Sequence, residues 1–228
     1  LWNKSSPFKQ CVTLKWRNCY RLRRMTPESR FTRSTAVRLS RQCLEAIHDL
    51  HRTGILHRDI KASNFAWSAE RIVYLLDLGF CRRFVGFATS KTVKHRAPRK
   101  KVAFLGTSKY CSPNMHKKLD QGRRDDLWAW LYMTVEFMGK LIWRNDEDKV
   151  IEKKKESIGS KLLIKCPQEM YMVYDHIRHL EFDSKPNYAM LRRQLDRVSV
   201  TSSSSLEENV TTGSTSLNSL VGLRALES

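Results

Sequence analysis

Asp126 to Met138 reads DLWAWLYMTVEFM, a helix-length segment that is apolar nearly all the way round. A helix of that kind has no face to offer water and must be buried on every side. It therefore demands a large helical lobe built around it. Residues 32–53 supply a second helix, amphipathic this time, with Val37, Cys43, Leu44, Ile47 and Leu50 near helical spacing. Thr32 or Ser34 is its expected N-cap and Gly54 its stop. Helical patterning returns over 169–180 and 188–198.

One β-like feature stands out among these helices. Arg71 to Leu76, RIVYLL, is a short apolar run with β-branched and aromatic residues, and Phe65 to Trp67 is its expected hairpin partner. The hairpin carries polar residues at both ends. His57 to Asn64 reads HRDIKASN, and Asp77 follows the second strand in the triplet DLG.

These residue types suit phosphoryl transfer. A carboxylate at Asp59 can accept the proton of an attacking hydroxyl. Asn64 and Asp77 offer an amide oxygen and a carboxylate, the hard oxygen donors that Mg2+ prefers beside nucleotide phosphates. Lys61 can place positive charge on the moving phosphoryl group. Asp and Asn are also common turn residues, but the strand that delivers Asp77 favours the catalytic reading. The loop resembles that of protein kinases, and Lys61 is the form found in serine/threonine kinases.

The 228 residues carry a formal net charge of +19. Residues from 199 on, which include TSSSS from Thr201, hold only Arg224 against Glu207, Glu208 and Glu227, which leaves +21 on the rest. So basic a body suits acidic or phosphorylated partners. No RNA or DNA motif accompanies the charge, so nucleic acid is the weakest reading. Six scattered cysteines without a CxxC pair argue against a zinc site or a disulfide framework. No run of about eighteen apolar residues exists to span a membrane, and the cytosol or nucleus is the expected compartment.

From Gln10 to Val198 the chain resembles the casein kinase 1 group, and most closely its tau-tubulin kinase branch. HRDIKASNFAW resembles the catalytic loop of that branch. GTSKYCSPNMHKK, from Gly106, resembles the stretch in which this group lacks the usual APE triplet; Ser112, Pro113 and Asn114 stand in its place. GRRDDLWAWLYMTVEF, from Gly122, resembles the group's buried central helix. Leu180, Phe182, Lys185, Pro186, Tyr188 and Leu191 match its closing pattern.

The resemblance implies an α+β, protein-kinase-like fold: mainly the α-helical C-terminal lobe with a small catalytic β-hairpin. It implies Mg2+ and ATP as cofactors, protein substrates with acidic or phosphorylated segments, and a monomer. Asp59, Lys61 and Thr107 would be catalytic, the threonine orienting the other two. Leu14, Lys61, Asn64, Ala66 and Asp77 would meet the nucleotide, with Ala66 under adenine, and Asn64 and Asp77 would hold the metal. His57, Arg58 and Asp126 would support the loop, Asp126 by holding its backbone. Arg96, Arg99 and Lys100, in a segment that also contains Lys91, Lys94 and Lys101, would bind the substrate's anionic groups.

Three departures accompany the resemblance. Leu78 replaces the family's phenylalanine and is expected to pack on His57. Cys11 to Leu14 aligns with the strand entering the hinge, so the N-terminal β-lobe, with its glycine-rich loop and strand lysine, is expected to be absent from an N-terminally truncated sequence. The hairpin loop Ser68 to Glu70 is short for the branch. The expected organisation is a residual hinge over 1–16, the C-terminal lobe over 17–198 and a disordered Ser/Thr-rich tail over 199–228. A catalytically inactive large-lobe pseudokinase that docks acidic or phosphorylated proteins is the alternative function. His48, His51, His116, His176 and His179 show no metal pairing and are expected to be structural or exposed.

Overall fold

The structure is a computed structural model that describes residues 17–86 and 95–198. Leu14, Lys91, Lys94, the expected hinge strand and the expected tail lie outside the described residues.

The chain enters through β1 (Arg17–Asn18) and α1 (Cys19–Arg24), then runs along the long helix α2 (Arg33–Arg52). The Thr32 hydroxyl oxygen caps α2 by accepting from the Thr35 amide at 3.3 Å. At its other end Gly54 adopts φ +79°, and a Cβ there would lie 2.5 Å from Val85 Cγ2. Both the left-handed backbone and the close approach need glycine.

Four short strands follow: β2 (Ile55–Leu56), β3 (Phe65–Trp67), β4 (Val73–Leu75) and β5 (Arg82–Arg83). β3 lies between β1 and β4, antiparallel to both, with Arg17 opposite Trp67 and Phe65 opposite Leu75. β2 and β5 form a separate antiparallel pair. Among the described residues no sheet is larger than the three-stranded one.

The rest is helical: α3 (Pro113–His116), α4 (Arg123–Met138), α5 (Asp148–Ser157), α6 (Glu169–Arg178) and α7 (residues 188–198). α4 is the all-apolar segment, extended by one turn at its N-terminus. Leu127, Trp130, Leu131, Tyr132 and Phe137 are at most 1% exposed. At roughly 1.5–3 kcal/mol each, their burial amounts to the order of 10 kcal/mol before conformational entropy is subtracted. Trp130 is satisfied in the core because its indole N–H donates to the Ser40 carbonyl of α2 at 2.9 Å. Phe137 meets Phe31 edge-on at 5.3 Å, and Tyr132 meets Trp143 at 5.1 Å.

The first turn of α4 is fixed by Asp125. Its carboxylate accepts from the Gly122 amide at 2.7 Å, the Ser112 hydroxyl at 2.5 Å and the Asn114 side chain at 3.2 Å. Burial nonetheless raises its pKa, the donors offsetting only part of the desolvation. Ser112 and Asn114 are thereby tied to the central helix, which anchors the N-terminal end of α3.

Candidate active site

Asp126, on the first turn of α4, carries the loop that follows β2. Its two carboxylate oxygens accept from the backbone amides of His57 and Arg58, each at 2.8 Å. From behind, His51 Nε2 lies 2.9 Å from the same carboxylate. The partner being an acceptor, Nε2 bears the proton, and Nδ1 accepts from the Tyr188 hydroxyl. Burial would raise the Asp126 pKa, but the His51 and amide donors outweigh it and the pKa is lowered. An ionised carboxylate is what these donors require.

The loop is strained where Asp126 grips it. Arg58 sits at φ +70°, a conformation that costs a non-glycine residue on the order of 1–3 kcal/mol. Its amide bond to Asp126 and its Nε bond to the Phe80 carbonyl at 2.6 Å hold it there. That backbone turn presents the next residue, Asp59.

Asp59 is 5% exposed, and both its oxygens are occupied. Oδ1 accepts from the Thr107 hydroxyl at 2.7 Å, and Oδ2 accepts from Lys61 Nζ at 2.5 Å. Lys61 also donates to the Thr107 oxygen at 3.3 Å, which closes a three-membered ring of contacts. Asn64 Nδ2 donates to the Asp59 carbonyl at 2.9 Å and approaches Oδ2 at 3.4 Å. No described residue donates to the Asn64 amide oxygen, which is left as an acceptor.

The loop that bears Asp59 and the segment that bears Asp77 are joined through backbone and imidazole. The Asn64 carbonyl accepts from the Leu76 amide at 2.8 Å. His57, fully buried, donates from Nε2 to the Leu76 carbonyl at 3.0 Å and accepts the Asp59 amide at Nδ1 at 3.3 Å. Asp77 comes one residue later, exposed, at φ 62°, with its Oδ1 facing the Gly79 amide at 3.4 Å. A carboxylate and a free amide oxygen thus flank one strand end, a donor set that fits a hard divalent cation. Ala66, 2% exposed, sits next in β3 between Asn18 and Tyr74.

Two expectations need correction. Leu78 is 58% exposed, and His57 is fixed by the Leu76 carbonyl instead. Arg99 is not a free anion donor, since its side chain grips Asp120 through Nη2 at 2.8 Å and Nε at 3.2 Å, while its own amide donates at 3.0 Å. Burial opposes ionisation of Asp120, but Arg99 prevails and the Asp120 pKa is lowered. Arg96 and Lys100 are exposed and form no ion pair among the described residues; only the Arg96 backbone is engaged, donating to the Phe84 carbonyl at 2.8 Å.

Sequence reasoning missed a buried charge cluster beneath the Thr107 turn. Glu136 of α4 is 0% exposed and takes Arg23 of α1 at 3.2 Å, together with Lys109 and the Tyr110 hydroxyl. It also missed Lys155, 5% exposed, which donates to the Ser108 and Cys111 carbonyls at 2.7 Å each. Burial lowers the Lys155 pKa to about 8. A glutamate in an otherwise apolar helix was the visible signal for the first; nothing local marked the second.

The profile of the protein kinase domain matches residues 9–208. A Dictyostelium discoideum protein described as a probable serine/threonine-protein kinase is 36% identical over 186 residues, 78% of this chain and 37% of the relative. The serine/threonine-protein kinase spe-6 of Caenorhabditis elegans is 33% identical over 82% of this chain and 52% of its own. A probable casein kinase I homolog of Encephalitozoon cuniculi is 32% identical over 75% of this chain and 59% of its own. The chain therefore spans between 37% and 59% of the length of these relatives. No described helix is long and apolar enough to cross a membrane.

Proposed function

The chain belongs to the protein kinase family, and from that premise we propose that it provides the catalytic loop of a serine/threonine protein kinase. The observation that carries this reading is the joint hold of Thr107 and Lys61 on Asp59. Asp59 accepts the proton of the substrate hydroxyl, while Thr107 and Lys61 fix the direction of its carboxylate. Lys61 is placed to stabilise charge on the phosphoryl group in flight. Asn64 and Asp77 would hold Mg2+, which supplies charge neutralisation at the ATP phosphates. Ala66, small and buried in β3, would leave room for the adenine ring.

The group is read as casein kinase 1, nearest the tau-tubulin kinase branch, and the substrates as acidic or already phosphorylated proteins. Unpaired Arg96 and Lys100 support that substrate class, because exposed cations beside the loop can meet carboxylate or phosphate. Arg99 supports it indirectly, by holding the segment to Asp120.

The test is phosphate transfer by the full-length gene product to three serine peptides: acidic, pre-phosphorylated and basic. Faster transfer to the first two, lowered by reversing Arg96 and Lys100, is expected. Binding of the phosphopeptide without transfer to any peptide would favour a docking pseudokinase instead.

A further inference from the structure

A cavity of about 670 Å³ opens where the end of α2 meets the residues after β5 and the start of α7. It is far larger than the 140 Å³ groove at Arg58, Arg99 and Asp120, and it contains none of Asp59, Lys61, Asn64 or Asp77. Its size falls within the roughly 300–1,000 Å³ of small-molecule sites.

The lining is one-signed. Arg52, Arg83, Arg123 and Lys185 contribute to it, and no described carboxylate does. Arg52 has Asp49 at 3.6 Å, but both side chains are over 70% exposed, so the pair neutralises little. Lys185 is exposed and forms no ion pair among the described residues. Arg123 is the most telling. Its Nη2 donates only to a neutral acceptor, the Asp183 carbonyl at 2.7 Å, and its guanidinium lies over the Phe84 ring at 4.8 Å. Burial lowers its pKa, an effect that Tyr188 and Asp183 offset only in part, and no described carboxylate forms an ion pair with it.

The floor is aromatic. Phe84 and Tyr188 are each 5% exposed, and His48 stacks on Tyr188 at 4.1 Å with 20° between the planes. A wall of flat rings beside a rim of cations, with no carboxylate in the lining, is matched by a molecule with a compact body and several phosphates.

We propose that this cavity binds a small multiply phosphorylated molecule, its phosphates held by Arg52, Arg123 and Lys185 and its body resting on Phe84 and Tyr188. The site stands apart from the catalytic loop yet touches it through one side chain. His51 is in the cavity wall, and it holds the same Asp126 carboxylate that carries His57 and Arg58.

Isothermal titration of the full chain at physiological salt tests this, with inorganic pyrophosphate, inositol hexakisphosphate and a doubly phosphorylated peptide as probes. Two exposed positions are reversed together, Arg52→Glu with Lys185→Glu. The control reverses Lys161 and Lys165, which are exposed and outside the cavity, so that net charge changes equally. Saturable one-to-one binding of a small probe, weakened about ten-fold or more by the cavity pair and less than about two-fold by the control, is expected. The histidine side-chain NMR signals of His48 and His51 should move on binding. Equal weakening by both pairs would show nonspecific attraction to a basic protein and overturn the proposal. So would absence of saturation, or tighter binding of the peptide than of either small probe. None of these readouts requires kinase activity, so the proposed function can fail without touching this result.

Discussion

Thr107 and Asp59, 48 residues apart in the chain, share a 2.7 Å hydrogen bond on the carboxylate oxygen that Lys61 does not hold. Thr107→Val keeps the volume but removes the hydroxyl. Asp59 then loses the side-chain donor to its Oδ1, and kcat should fall by about 10- to 100-fold, with little change in KM for ATP. Thr107→Ser should restore most of the rate, which steady-state kinetics on the three proteins will show.

Gly106, next to that threonine, lies at φ +102°, and a Cβ there would come within 2.8 Å of the Arg58 carbonyl. Gly106→Ala must therefore push the Thr107 turn away from the loop. We expect activity to drop at least as far as in Thr107→Val, with thermal unfolding also lowered, because the added methyl meets rigid backbone.

The Asp126 carboxylate is surrounded by donors, two amides and the His51 imidazole. Asp126→Asn turns one accepting oxygen into a donor, leaving a buried N–H against N–H. Denaturant unfolding should reveal a loss of about 1–3 kcal/mol, and the proton exchange of the His57 and Arg58 amides should accelerate.

Glu136→Gln removes the charge that Arg23, Lys109 and Tyr110 converge upon. With Arg23 only 3% exposed, a buried cation would lose its counterion, at a cost of about 3–5 kcal/mol. Glu136→Gln combined with Arg23→Met should recover part of that loss in equilibrium unfolding, a coupling that independent sites would not show.

Lys155 sets a pH dependence with a definite sign. Its pKa is lowered to about 8 in the folded chain from an ordinary value of 10.5. Between those values the unfolded chain binds more protons, so this residue's contribution to stability rises with pH. The difference in unfolding free energy between wild type and Lys155→Met should grow by about 1–2 kcal/mol from pH 7.5 to 9.5. A flat difference would mean that the Ser108 and Cys111 carbonyls, with the Tyr132 and Trp143 rings 4.9 and 5.5 Å away, keep the ammonium fully stabilised.

Much of this was legible because the signals are local. The helix over 33–52, the buried helix at 123–138 and the hairpin of β3 and β4 follow from period, capping and β-branched content. What escaped lies in long-range pairing. Arg99 looks like any basic loop residue until Asp120, 21 positions later, is seen to occupy it. Glu136 reads as one polar interruption of an apolar helix, yet its partner Arg23 is 113 residues away. His51 was expected to be structural or exposed; it is structural, and its two nitrogens join Tyr188 to Asp126. Leu78 followed a packing rule for apolar residues, but backbone geometry after Asp77 turns it outward.

The most direct measurement is the rate of phosphoserine formation on an acidic peptide by the full-length gene product and its Asp59→Asn variant, with the product identified by mass. If Asp59 is the proton acceptor, the wild type forms phosphoserine and the variant is slower by about 10²- to 10⁴-fold, with unchanged folding. Equal rates in the two proteins would contradict the assignment of Asp59 and, with it, the reading of this loop as a phosphoryl-transfer site.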